Sequence, residues 1–289
     1  MSTSQLLKDL IGSRALIVSS HSDNKILSLQ DSIWTSINLN NARGIAINEY
    51  LIAIASHEAI YYYNRTTGTL AGVANIQSQD SHEIIYDPEG NLIVCASYRS
   101  ALVKQGVGID EIYWSVPGVT PETFDARSWI NGVALQDGYP KYVSVLGLSD
   151  IPQGWRDEAR ISKGLIIDVT NNNIVLNNLF FPHSPKIIDN VLWFCNSGNS
   201  QLCKWLPGDS NYTVVTELSG WSRGILQIGD YVLVGISQGK LTAFPEITAD
   251  PMAQPGIAII NKNTGQQEDF EPLDVQEIFD INITDKALT

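Results

Sequence analysis

Hydrophobic positions in this chain come in short runs cut by tight polar breaks. "ARGIAINEYLIAIASHEAI" (Ala42–Ile60) and "SRGILQIGDYVLVGISQGK" (Ser222–Lys240) follow one plan. Each opens on a small residue and Arg-Gly-Ile, reaches a Tyr after a polar break, and runs through apolar residues to a Ser. "SHEIIYDPEGNLIVCASYRSALV" (Ser81–Val103), "INGVALQDGYPKYVSVLG" (Ile130–Gly147) and "HSPKIIDNVLWFCNSGNSQLCKW" (His183–Trp205) repeat the plan around Asp-Pro-Glu-Gly, Asp-Gly and Asp-Asn breaks. Such a unit predicts a strand, a tight turn and a second strand. Third strands are predicted at Ile60–Tyr63, Ala101–Lys104, Gln201–Trp205 and Lys240–Phe244, and fourth strands after turns such as Asn64–Gly68, Asn171–Asn173 and Asn261–Gly265. Helical periodicity is absent over any long window, and only Ser4–Leu10 predicts a helical turn or two.

The units start near Arg43, His82, Asn131, Ser184 and Arg223, at intervals of 39, 49, 53 and 39 residues. A four-stranded antiparallel unit recurring at this spacing predicts a β-propeller. Five units are complete, and two fragments remain. "ALIVSSHSDNKILSL" (Ala15–Leu29) has the form of second and third strands, and "EIFDINI" (Glu277–Ile283) that of a first strand. Joined, they predict a sixth blade. The expectation is an all-β, six-bladed propeller over residues 1–289 as one domain, closed by pairing of its last strand with the N-terminal blade so that no sheet edge stays open.

Composition narrows the partners. The chain has 18 basic and 31 acidic residues, a net charge of −13. A nucleic-acid backbone or an anionic membrane needs a basic face, so neither is expected. No run approaches the length of a membrane span, and the first residues lack the pattern of a signal peptide. Three cysteines, Cys95, Cys195 and Cys203, show no metal spacing. Free buried thiols and a cytoplasmic location are the expectation. The sequence carries no signal of oligomeric state.

Several motifs occur in a fixed order: "WING" at Trp129–Gly132, "GWR" at Gly154–Arg156, "PHSP" at Pro182–Pro185, "NSG" at Asn196–Gly198, "RG" at Arg223–Gly224 and "EIFD" at Glu277–Asp280. Together they resemble an uncharacterised family of bacterial proteins with a domain of unknown function, sometimes found beside TPR-type or sulfotransferase modules. The resemblance implies no established activity. More distantly, the six-blade plan is similar to the lactonase and strictosidine synthase propellers, a likeness of fold alone.

In an up-and-down blade, the start of strand one and the end of strand two lie on the same rim. This places Arg43, His82, Glu83, Asn131, His183, Ser184, Arg223 and Asp280 on one face, with all four histidines. Asn196 joins them from a second-to-third turn. Arg43 and Arg223 occupy the same station in two blades and suit an anion. His183, His82 and Asp280 are the candidate proton-moving groups. Asn131, Ser184 and Asn196 are candidates to orient a ligand. The insertion Gly147–Lys163 opens on this rim, where Trp155 and Arg156 suggest a lid with an aromatic platform. The recurring Ser at the end of strand two (Ser20, Ser56, Ser97, Ser197, Ser237) reads better as a turn-bonding group than as a nucleophile, because no nucleophile-elbow motif is present. No organic cofactor motif occurs; Glu83, Asn131 and Asp280 offer oxygen ligands for a Ca²⁺-like ion. The first functional reading is a pocket acting on a small polar or anionic metabolite, as a hydrolase, isomerase or cyclase. The second is a non-catalytic propeller that binds a peptide, a glycan or a partner enzyme.

Overall fold

A computed structural model describes residues 3–76, 80–105, 110–239 and 249–289. Its strands form six four-stranded antiparallel sheets. Blade one starts at inner strand Ile45–Ile47, blade two at Ser81–Tyr86, blade three at Ile130–Gln136, blade four at Pro182–Ile188 and blade five at Trp221–Ile228. In blade six the inner strand is Asp280–Thr284, followed outward by Ala15–Ser20, Lys25–Gln30 and Ile33–Asn38. Each inner strand contacts the next, and Asp280–Thr284 contacts Ile45–Ile47, so the ring is a six-bladed β-propeller.

The local chemistry of the breaks explains the hairpins. Asp31 and Ser32, Asp137 and Gly138, and Asp189 and Asn190 all have positive φ at both turn positions. Such turns match the right-handed twist of the strands they join, and Asp, Asn and Gly tolerate that conformation best. Between them the strands are apolar on both faces. Leu92–Ala96 is buried throughout, because each blade is covered by a neighbour on either side. Outer strands such as Ile33–Asn38 are exposed or half-buried along their whole length.

One predicted strand is placed differently. Lys240–Phe244 lies outside the described residues, and the third strand of blade five is Gly256–Asn261, in register with Tyr231–Ile236. The Asn261–Gly265 turn then leads into the fourth strand, Gln267–Pro272, as predicted. The early helix is Gln5–Ile11, with the Ser4 hydroxyl accepting from the Leu7 amide at 3.1 Å. Its Leu7 and Ile11 pack among Leu16, Ile259 and Ile281, between blades five and six. The three cysteines are free and buried, and burial raises each thiol above its ordinary range. No described helix is long and apolar enough to cross a membrane.

The last strand supplies a whole inner edge. Ala15–Ser19 pairs residue for residue with Asp280–Thr284. Deleting residues 274–289 strips that edge and exposes Leu16 and Val18. The truncated chain should lose cooperative unfolding in a thermal or urea melt; a transition as sharp as that of the full chain would show that closure matters little.

Candidate functional site

The inner strands enter from one rim, and their first residues crowd the axis. Gly44 shows how tightly. A Cβ there would lie 2.5 Å from the His82 carbonyl, and the Gly44 amide bonds that carbonyl at 2.9 Å. At Gly224, whose φ is +67°, a Cβ would lie 3.0 Å from the Asp280 Cα. The Gly of each Arg-Gly pair thus lets two blades meet.

Three polar side chains at this level join neighbouring blades, at every second junction. The Asp280 carboxylate accepts from the Ile45 amide at 2.8 Å. Glu83 accepts from the Val133 amide at 3.0 Å. The Ser184 hydroxyl accepts from the Gly224 amide at 2.9 Å. One layer out, Ser97, Ser197 and Ser237 donate to the carbonyls of Ile130, Ser222 and Ile278 in the following blade. The recurring Ser at these three positions is therefore a backbone staple between blades.

Phe279 sits over the axis, and both arginines face its ring. The Arg43 guanidinium lies 5.9 Å from its centroid and that of Arg223 lies 4.9 Å away. Each arginine bonds an acid placed just before the next inner strand: Arg43 pairs with Asp80, and Arg223 pairs with Glu277 at 2.8 Å. Histidines extend the network. His57 Nδ1 lies 3.2 Å from Asp80, and His21 lies 3.4 Å from Arg43 and 3.5 Å from Glu277. Burial alone would raise the Asp80 carboxyl, but His82 and Arg43 beside it hold it well below the usual carboxylate range.

His82 lies 5.3 Å from Phe279, ring to ring. Its Nε2 is 3.2 Å from the Trp129 indole nitrogen. An indole N–H only donates, so Nε2 accepts and the proton of the neutral ring sits on Nδ1. Burial, reinforced by Arg43 and Arg223, pushes this histidine down to about 4 against the pull of Asp80. His183 Nδ1 lies 2.8 Å from the Phe181 carbonyl, which can only accept, so this nitrogen is also protonated. The Ser197 hydroxyl lies 2.9 Å from His183 Nδ1, but it donates to the Ser222 carbonyl and so accepts from this protonated nitrogen, the reverse of what an activated nucleophile needs.

Beside Phe279, Glu83, Asn131, His183, Ser184, Arg223 and Asp280 line a small cavity of about 10 Å³. That is roughly the room one water needs. Lys186, which sequence reasoning missed, reaches Glu83 across the channel. The oxygen ligands proposed for calcium are therefore committed. Glu83 holds Lys186 and the Val133 amide, both Asp280 oxygens accept backbone N–H groups, and Asn131 Oδ1 accepts from Ser144. The donor set does not fit a calcium ion, because an ammonium already neutralises it. Burial raises the Asp280 carboxyl to about 7, with Glu83 adding to the effect and Lys186 opposing it.

The remaining candidates lie elsewhere. Trp155 starts the short helix Trp155–Arg160 and is buried, its ring 4.6 Å from that of Trp129. It joins a cluster with Phe180, Phe181 and Trp221 over the entries of blades three to five. The insertion thus covers the mouth side as a packed aromatic cap. Arg156 is exposed and stacks 4.6 Å above the Trp155 ring. Asn196 also stays outside the mouth: its Oδ1 accepts from the Phe180 amide at 2.7 Å and its Nδ2 donates to Gln201. Asp80, Glu277 and Phe279 were legible only as neighbours of inner-strand entries. For Lys186 the sequence held no signal, because its partner is 103 residues away.

Comparison with known proteins places the whole chain. A family model described as "Domain of unknown function (DUF4915)" matches residues 6–288. No curated protein matches the chain. Among solved structures, a protein of unknown function from Bacteroides caccae is similar at a TM-score of 0.63 and 12% identity, covering 95% of this chain and 100% of that one. A chain of a nidogen/laminin complex is similar at a TM-score of 0.64 and 12% identity, covering 94% and 98%. At this identity the likeness concerns the fold alone.

His82 and Asp280 set opposite pH dependences. The folded imidazole stays neutral down to about 4 and an unfolded one protonates near 6.5, so His82 costs stability as pH falls through that window. The folded Asp280 carboxyl keeps its proton up to about 7 and an unfolded one only to 3.8, so Asp280 costs stability as pH rises through that window. Between roughly pH 4 and 6.5 the two offset each other. In urea melts, Asp280→Asn should make stability rise with pH relative to the parent protein, by up to about 1.4 kcal/mol per unit. His82→Gln should tilt it the other way. Parallel profiles for all three proteins would contradict both assignments.

Proposed function

The chain belongs to the family described as a domain of unknown function (DUF4915), and on that premise we propose that its Arg/His-lined mouth binds the polar or anionic end of a small molecule without transforming it. One observation carries this reading. Four buried nitrogens around the mouth, Arg43 Nε, Arg223 Nε, His82 Nδ1 and Asn131 Nδ2, have no hydrogen-bond partner among the described residues. Buried donors are almost always satisfied, and leaving one unsatisfied costs about 1–3 kcal/mol. A carboxylate or similar acceptor entering beside Phe279 would meet donors from several blades. Each arginine bonds its acid through Nη1, which leaves its Nε edge for a ligand.

The candidate proton-moving groups favour binding over catalysis. His183 Nδ1 is spent on a carbonyl and His82 Nε2 on an indole, and Asp280 spends its oxygens on amides. A catalytic reading, of the hydrolase, isomerase or cyclase type, draws on the Asp280 carboxyl being poised near neutrality, which suits a general acid. Because the cavity is so small, a metabolite enters only if the groups around it part, and lifting of the Trp155 cap is one way to make that room. The Gly147–Lys163 insertion then acts as the lid of this mouth.

Acetate, malonate and inorganic phosphate are suitable probes. A bound anion at about 100 times its Kd should stabilise the fold by about 2.7 kcal/mol, read as a rise of several degrees in the thermal midpoint. Arg223→Lys keeps the charge but loses the fork, and should weaken binding by roughly 1–3 kcal/mol. Amide exchange over Trp155–Arg160 should slow when the anion is bound. The reading fails if no anion moves the midpoint, or if a folded Arg223→Lys variant responds as strongly as the parent protein.

A further inference from the structure

A second cavity lies on the same face, at the outer part of blade one where blade six hands over to it. Its volume is about 310 Å³, and Asn40, Asn41, His57, Glu58, Tyr61 and Asn75 are among its walls. It is much larger than the cavity in the mouth and falls at the lower end of small-molecule sites.

Its walls are pinned through the backbone. The Asn41 amide donates to Asn24 Oδ1 at 2.8 Å, and the Leu39 amide to the Asn24 carbonyl at 2.9 Å. The Ile76 amide donates to the Glu58 carbonyl at 2.9 Å, and the Ser56 hydroxyl accepts from the Ala59 amide at 3.2 Å. His57 is oriented by Asp80.

The side chains of the three asparagines are another matter. Loop asparagines usually spend their side-chain oxygen on a nearby backbone amide. Asn48, Asn64, Asn171 and Asn261 all do so here. The side chains of Asn40, Asn41 and Asn75 have no hydrogen-bond partner among the described residues, so turn formation does not account for them. The fold holds three amides around one concavity and uses none of them.

The lining discriminates among ligands. Each amide offers a donor and an acceptor side by side, as vicinal hydroxyls do. Glu58 accepts from hydroxyl groups and repels anions. Among the described residues no Lys or Arg lines the cavity, which disfavours phosphate and carboxylate, and no large aliphatic side chain lines it, which disfavours lipid. Tyr61 and His57 supply rings on which the C–H face of a pyranose can rest. We infer that this cavity is a binding site for a neutral polyhydroxylated ligand of the size of a mono- or disaccharide, separate from the arginine mouth.

Glucose, galactose and maltose are the probes, read by saturation-transfer NMR on the intact protein. The ring protons of at least one sugar should receive saturation. The double substitution Asn40→Ala and Asn75→Ala affects exposed side chains and should leave the thermal midpoint unchanged while weakening the sugar at least tenfold. Malonate, which probes the mouth, should not displace the sugar. The inference is overturned if none of the three sugars receives saturation, if transfer persists undiminished in the double variant, or if malonate competes. Failure of anion binding at the mouth would leave these outcomes unaffected.

Discussion

Six strands converge on one axis, and their first backbone amides must find acceptors where there is no room for a further strand. This constraint organises the centre of the molecule. Asp280, Glu83 and Ser184 meet it at alternate blade junctions by accepting from Ile45, Val133 and Gly224. An unsatisfied buried amide is costly, so these side chains contribute to closure as directly as the strand pairing does. Carboxylates are strong acceptors for this purpose, but they bring charge to a buried place. Lys186 answers Glu83, and Asp280 answers its own burial by holding a proton up to near neutrality.

The same logic extends up to the rim. A buried guanidinium needs a partner, and removing one member of such a pair typically costs about 3–5 kcal/mol. Arg43 and Arg223 find theirs in the acids that precede the next inner strand, so each pair also ties two blades together. The repeated Arg-Gly therefore has two physical roles. Gly lets neighbouring backbones touch, and Arg bridges to the following blade while keeping one edge toward Phe279. The structural tie uses one edge of the side chain, and the Nε atoms, unbonded among the described residues, mark the part the fold leaves over.

The face above is unevenly built. Over blades three to five it is sealed by Trp129, Trp155, Phe181 and Trp221, all buried in one cluster. Over blades six and one it is polar and open, with His21, His57 and the asparagine-lined cavity. The two halves meet at Phe279 and His82. Any ligand must approach from the polar side or displace the aromatic one.

Much of this architecture was legible in local pattern. Alternating runs, Asp-Gly and Asp-Asn turns and the spacing of the repeats determined the blade count and the rim that carries each polar residue, because hairpin geometry depends on residues within a few positions of one another. Even the pairing of 280–284 with 15–19 followed from counting half-units. What the tertiary structure alone decided is partnership. Asp80 and Glu277 as counter-ions, Lys186 reaching across the channel, Trp155 turned inward and Asn196 kept out of the mouth all depend on which side chains meet across blade boundaries. A hairpin pattern repeats every blade, but the axis is shared by all six. Its electrostatics are settled by contacts between residues some 40 to 250 apart, for which local sequence has no period to reveal.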